Sequence, residues 1–172
     1  IQKRRLDDDK SKTILDDITG RIKSIALIHE KLQTSDALDK INMQDYCHSL
    51  LSEIKNSYSL STLDLEIKCH NIYMNIDQVT SLGLIINELA NNSFKHAFSN
   101  SENPKVILHL HEDENQKYRL NYSDNGEGKE QIESGKSLGS LLIKTLSASQ
   151  LKGKMSLITY PSLAYSFIFP KS

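Results

Sequence analysis

The sequence predicts an α+β protein: a helical segment over residues 1–40, then a two-layer α/β sandwich over residues 41–172 in which helices cover one face of a mixed sheet. Three observations lead there. Apolar residues recur at steps of three and four up to Ile54, the period changes to two from Leu63, and a long apolar helix pattern over residues 78–97 sits between the alternating stretches. With 172 residues, 38% hydrophobic and 25% charged, the chain is globular and long enough for one core plus an appendage.

The first helix runs from Ser11 to Leu32, where Ile14, Ile18, Ile22, Ile25, Ile28 and Leu32 form one stripe. Such a stripe is expected to pack in a helical hairpin or a dimeric bundle, the alternative being that it lies on its own domain. After a polar connection over residues 33–41, Asn42 can cap a second helix that buries Met43, Tyr46, Leu50, Leu51 and Ile54 and ends between Asn56 and Ser59. Leu63, Leu65, Ile67 and Cys69, then Ile72, Met74 and Ile76, alternate with polar residues and predict two strands. Asp77 is read as the N-cap of the long helix, which turns Leu82, Ile85, Ile86, Leu89 and Phe94 toward the sheet. Strands Lys105–His111 and Lys117–Ser123 flank a polar loop, Leu138–Leu151 is helical, and Lys154–Thr159 with Tyr165–Phe169 makes a last hairpin around Tyr160-Pro161-Ser162.

Composition excludes several classes of function. A net charge of −1 supplies no field that would gather nucleic acid or acidic lipid, and no apolar run approaches the roughly 18–20 residues of a membrane span. Cys47 and Cys69 have no metal-site spacing and make no disulfide framework, which fits a reducing cytoplasm. The start at Ile1, with neither initiator Met nor signal-peptide core, reads as a piece of a longer protein.

The chemistry-bearing stretch is Asn87 to Phe98, NELANNSFKHAF, on what otherwise reads as a buried helix. Glu88, Asn92 and Lys95 are spaced four and three apart, so they share one face. Burying a carboxylate, an amide and an ammonium is unfavourable by several kcal/mol unless each is paired, which implies a wet cleft, a metal or a charged ligand; an exposed polar helix is the bland alternative. A second motif, Asp124-Asn125-Gly126-Glu127-Gly128, follows a strand; its glycines let backbone approach a ligand, and its aspartate can accept a hydrogen bond from an exocyclic amine. A third, Gly135-Lys136-Ser137-Leu138-Gly139, opens a helix whose free N–H groups suit phosphate, or simply a plain N-cap at Ser137.

In that order the three stretches resemble the N, G1 and reduced G2 boxes of the GHKL ATPases, and Arg21 to Leu32 with Leu82 to Leu89 is similar to sensor histidine kinases of the short-lid branch. The resemblance covers nearly the full chain and implies a Bergerat-type sandwich behind a partial dimerisation hairpin. It assigns Glu88 as the catalytic carboxylate and Asn92 as a Mg²⁺ ligand. Asn92, Lys95, His96, Asp124, Gly126, Gly128, Ser137, Leu138 and Gly139 would together hold ATP. The implied activity is ATP-dependent transfer of a phosphoryl group to a histidine upstream of this chain and thence to the receiver domain of a response regulator, in a cytoplasmic homodimer that needs no nucleic acid, with no membrane segment in this chain and a membrane tether on the parent protein left open. His29 is expected to have a packing or helix-surface role. A degenerate kinase-like module that dimerises without turning over ATP, and a regulator of the same fold acting on a partner's serine, stay open. The sequence departs from the family pattern at Glu127 and Lys129, at the single glycine kept in the third motif, and at Ala164-Tyr165-Ser166 in the last strand.

Overall fold

The computed structural model describes residues 15, 18–28, 30, 40–98, 101–126, 138–158 and 164–171. Helix α1 spans 18–28. A two-residue strand β1 (Ile41–Asn42) leads into α2 (Met43–Ser57), whose cap is the expected one: Asn42 Oδ1 accepts from Gln44 N at 2.9 Å. Met43, Tyr46, Leu50, Leu51 and Ile54 are buried as the spacing predicts. Strands β2 (Asp64–Lys68) and β3 (Tyr73–Met74) precede α3 (Ile76–Asn92), which continues into one wide π-type turn, Ser93–Ala97. Strands β4 (Lys105–Glu112) and β5 (Lys117–Asp124), helix α4 (Leu138–Thr145) with a second wide turn Leu146–Gln150, and strands β6 (Lys154–Ile158) and β7 (Ala164–Pro170) complete the described chain.

The main sheet has the order β2-β4-β5-β7-β6, parallel between β2 and β4 and antiparallel elsewhere. It is the mixed sheet that the sequence predicts, in an α+β fold. Val106, Leu108, Leu110, Leu120, Tyr122, Phe167 and Phe169 form its covered face, and with the apolar faces of α2 and α3 they make one core. Cys47 and Cys69, far apart in sequence, both lie in this core and hydrogen-bond to each other, which together with burial pushes the Cys47 thiol well above its usual range.

Three local expectations change. Tyr73–Met74 pairs with Ile41–Asn42 in a separate two-stranded ribbon and takes no place in the main sheet. Its alternation with Ile76 is misleading, because Ile76 is the first residue of α3 and stands 39% exposed. The N-cap of α3 is Asn75, not Asp77: Asn75 Oδ1 accepts from Gln78 N at 2.9 Å, and Asp77 sits one position inside, where its charge favours the positive end of the helix. On α1 most of the described isoleucine stripe is left uncovered. Ser24, Leu27 and Ile28 are buried, while Ile18, Ile22 and Ile25 keep 45%, 61% and 40% exposure. Ile14, Leu32, His29 and Tyr160 to Ser162 lie outside the described residues.

The outward face of β2 carries an ion-pair cluster. Glu66 accepts from Lys68, and its two oxygens also lie 2.9 Å from Lys105 Nζ and 3.1 Å from His109 Nε2. Hydrogen bonds from Lys68, then Lys105 and His109, hold its carboxyl at about 2, below its ordinary 4.5. A depressed carboxylate stabilises the fold above its unfolded-state value and loses that contribution as pH falls through the folded one. A carboxyl NMR titration should therefore place Glu66 near 2, moving upward in Lys68→Gln; a midpoint near 4.5 in the wild type would mean the cluster does not form in solution.

Candidate functional site

The polar end of α3 is held in place from its other end. Gln78 Nε2 donates to Pro170 O at 3.0 Å, tying the start of the helix to the last residue of β7. Leu82, Ile85, Ile86 and Leu89 are almost wholly buried, and packing that face fixes where Glu88 and Asn92, four residues apart, must project.

Glu88 keeps only 8% exposure, and its Oε1 accepts from Arg21 Nε at 2.8 Å. The cation that a buried carboxylate requires thus comes from α1 of the same chain. On the other side, a Cβ on Gly139 would stand 2.4 Å from Glu88 Oε2, so the first turn of α4 lies directly against the carboxylate.

Asp124 ends β5 and is 3% exposed. Ser93 Oγ donates to its Oδ2 at 2.6 Å, Tyr122 OH donates to Ser93 Oγ at 3.0 Å, and Gly126 N donates to Asp124 Oδ1 at 3.0 Å. Burial pushes the Asp124 carboxyl above its usual range, against the opposing hydrogen bonds from Ser93 and Gly126. Burial likewise raises the Tyr165 phenol, with the nearby Asp124 charge adding to it. Gly126 lies on the wide turn that ends α3: a Cβ there would be 2.3 Å from Ala97 Cβ and 2.5 Å from Ala97 O, which only glycine avoids.

The second and third motifs therefore both meet the first, along the end of α3. Gly139 touches it at Glu88, while Asp124 and Gly126 touch it at Ser93 and Ala97. Glu88 and Ser93 are separated by roughly 7.5 Å of helical rise. Asn92 and Lys95 are half-buried on this stretch and His96 is exposed. Leu138 is 67% exposed beside Gly139, so its side chain adds nothing to the buried part of the site. Gly128 and Ser137 lie outside the described residues. Sequence reasoning passed over Arg21, named only as the start of a stretch of resemblance, and the pair Ser93 and Tyr122. Ser93 was within reach of it, since a hydroxyl directly after Asn92 in an apolar helix needs a partner as much as its neighbours do. Among the described residues no group of three or more His, Cys, Asp or Glu could hold a metal ion, and no helix is long and apolar enough to cross a membrane.

Comparison with known proteins shows what the chain is similar to. Residues 1–58 match the HisKA_2 family model, described as histidine kinase. Sensor histidine kinase PdtaS of Mycolicibacterium smegmatis is 23% identical over 169 residues, 94% of this chain and 33% of its own length. The chain thus spans about one third of the length of the curated relatives it matches. The histidine kinase domain of the Erythrobacter litoralis EL346 blue-light activated histidine kinase has the same fold, with a TM-score of 0.78 at 17% identity over 90% of this chain and 75% of that one. The catalytic domain of histidine kinase ThkA gives 0.60 at 19% identity, covering 77% of this chain and 95% of that one. Residues 1–58 thus match a histidine kinase family model, sensor histidine kinases are similar over nearly the whole chain, and the described fold is that of histidine kinase domains of known structure.

Proposed function

We propose that this domain binds Mg·ATP between the end of α3, the Asp124–Gly126 turn and the start of α4, and transfers the γ-phosphoryl group to a histidine of the parent kinase and from there to a response-regulator aspartate. The single observation that carries the reading is that the second and third motifs both meet the first, at residues 88–97 along the end of α3 and its wide turn. The donor set fits the ligand. Asp124 gives two of its roughly four lone-pair sites to Ser93 and Gly126, which leaves acceptor capacity for an exocyclic amine. The Asn92 carboxamide oxygen is of the hard type that magnesium takes alongside phosphate oxygens and water. When bound, magnesium neutralises phosphate charge, and the protein's share of phosphoryl transfer is positioning and charge stabilisation.

In this reading Glu88 is the catalytic carboxylate, oriented by Arg21 on one oxygen and turned to Gly139 with the other. Lys95 would bring positive charge and His96 a ring nitrogen to phosphate, and Ser137, Leu138 and Gly139 would meet it at the start of α4. Gly126 lets the turn close against Ala97 beside Asp124, and Gly128 would admit the base. A second reading, a kinase-like module that dimerises without turnover, is favoured by a different observation: Leu15, Ile18, Ile22 and Ile25 leave an apolar face of α1 uncovered, suited to a second copy.

Calorimetric titration separates the two. Submillimolar binding of Mg·ATP that weakens at least about tenfold in Asp124→Asn is expected, since the substitution replaces an acceptor with a donor at the base. No heat from a well-folded dimer in sedimentation would overturn the first reading in favour of the second.

A further inference from the structure

Asn125-Gly126, inside the second motif, is the only Asn-Gly peptide in the chain. The pair is reactive in itself. The amide nitrogen that follows an asparagine can attack the side-chain carbonyl carbon, and glycine, with no Cβ, shields that nitrogen least. A bond forms between Gly126 N and Asn125 Cγ, the Cγ–Nδ2 bond breaks, and ammonia leaves carrying the proton that Gly126 N gave up through water. The product is a cyclic imide. Water then opens it at one of two carbonyls, giving aspartate in the ordinary linkage or isoaspartate, whose backbone runs through the side-chain carboxyl and is longer by a methylene. Water is the co-reactant, and nothing is oxidised or reduced.

The folded turn occupies each group that this reaction uses. Asn125 is exposed to water, yet both ends of its carboxamide are tied to the chain leading into β4: Oδ1 accepts from Lys105 N at 2.7 Å and Nδ2 donates to Asn103 O at 2.9 Å. The backbone N–H of Asn125 donates to Lys105 O at 3.1 Å. The nucleophile is held as well. Gly126 N donates to Asp124 Oδ1 at 3.0 Å, and a proton that lies against a carboxylate is harder to remove. Ring closure therefore waits for a local opening of the turn, an event that needs less free energy than unfolding of the core.

The product does not close again. Aspartate at this position has no Nδ2–H for Asn103 O and sets carboxylate oxygens against that carbonyl, so repulsion replaces a hydrogen bond. Isoaspartate also lacks room: Gly126 packs so closely on Ala97 that even a Cβ would overlap it, and a lengthened backbone must move Gly126 from that place. We propose that Asn125 is a modification site, a deamidation switch that is thrown only while the Asp124–Gly126 turn is open and that then keeps the turn open. Where the turn holds a nucleotide base, as proposed above, the same event dismantles the base site; the modification does not rest on that reading and is tested without nucleotide.

The test is ageing of the whole chain in mildly alkaline buffer, folded and in urea, with conversion at residue 125 read by peptide mass spectrometry and isoaspartate methyltransferase labelling. Conversion in urea is expected to run at least about tenfold faster than in the folded chain, the ratio reporting how seldom the turn opens. Asn125→Gln, which would have to close a larger and slower-forming ring, should show no conversion in urea over the same time. The aged chain is then returned from urea beside a fresh sample, and hydrogen exchange is followed residue by residue. The amides of Lys105 and Gly126 are expected to exchange at least about tenfold faster in the aged chain, with the core amides of α2 unchanged. Asn125→Asp, which carries the ordinary-linkage product from the start, should show the same local loss of protection without any ageing. Equal conversion in the folded and unfolded chain, conversion of Asn125→Gln, or wild-type protection of Lys105 and Gly126 in both the aged chain and Asn125→Asp would overturn the proposal.

Discussion

Replacing Arg21 with alanine is expected to destabilise the protein by about 2 kcal/mol, because it removes the cation from a carboxylate that is 8% exposed. Removing one partner of a fully buried pair is unfavourable by about 3–5 kcal/mol. Arg21 and Glu88 retain 20% and 10% of their side-chain exposure, so water recovers part of that penalty. The diagnostic is a double-mutant cycle read by urea denaturation. If the uncompensated charge is the cause, Arg21→Ala should matter little once Glu88 is Gln, with a coupling energy of about 1–2 kcal/mol. A single-mutant change within about 0.5 kcal/mol, the range of ordinary surface substitutions, would show that the contact does not persist in solution. Arg21→Lys should behave more like the alanine variant than like the wild type, since a point charge on a different stem does not reproduce the Nε–H donor at 2.8 Å.

Gly83→Ala should unfold the protein at a clearly lower temperature even though alanine is the better helix former. The propensity gain is about 1 kcal/mol. Against it, the new Cβ would stand 1.9 Å from the Tyr46 OH and 2.9 Å from its Cζ, and Tyr46 is fully buried. Tyr46 passes from α2 beneath Gly83 of α3 and directs its OH to Ser24 O of α1 at 3.4 Å, so one side chain joins three helices and has nowhere to retreat. Overpacking of this kind typically destabilises by about 1–3 kcal/mol, and the severity of the overlap places the expected net loss at about 2 kcal/mol. Calorimetric melting should show Tyr46→Phe partly rescuing Gly83→Ala, because it deletes the atom in the worst contact. A double variant that is no more stable than Gly83→Ala alone would point to a backbone shift instead.

Where local chemistry is self-sufficient, the residues themselves announced the structure. Asn42 caps α2 and the five apolar residues behind it are buried, since an amide next to free N–H groups and a 3.6-residue period need no distant partner to favour a helix. The alternation in β4 and β5 was equally legible, because both strands bury one face against helices and leave the other outside. The N-cap of α3 was misread because Asn75 and Asp77 are both competent caps two residues apart. Backbone geometry made the choice, with Asn75 extended and Ile76 already helical. On α1 the isoleucine stripe gave the stronger periodic signal, yet of its described members only Ile28 is buried, beside Ser24 and Leu27 from outside the stripe.

From sequence alone came the fold class, the elements and the fact that Glu88, Asn92 and Asp124 are polar groups on apolar elements that require partners. Which partners they have was decided in three dimensions. Arg21 reaches Glu88 across 67 positions and Ser93 reaches Asp124 across 31. The physical reason is that periodicity records how favourable it is to leave water, a property of each residue, whereas an ion pair or a hydrogen bond depends on where two separate elements come to rest. That position follows from details of packing such as Tyr46 beneath Gly83, which no pattern along a single helix contains.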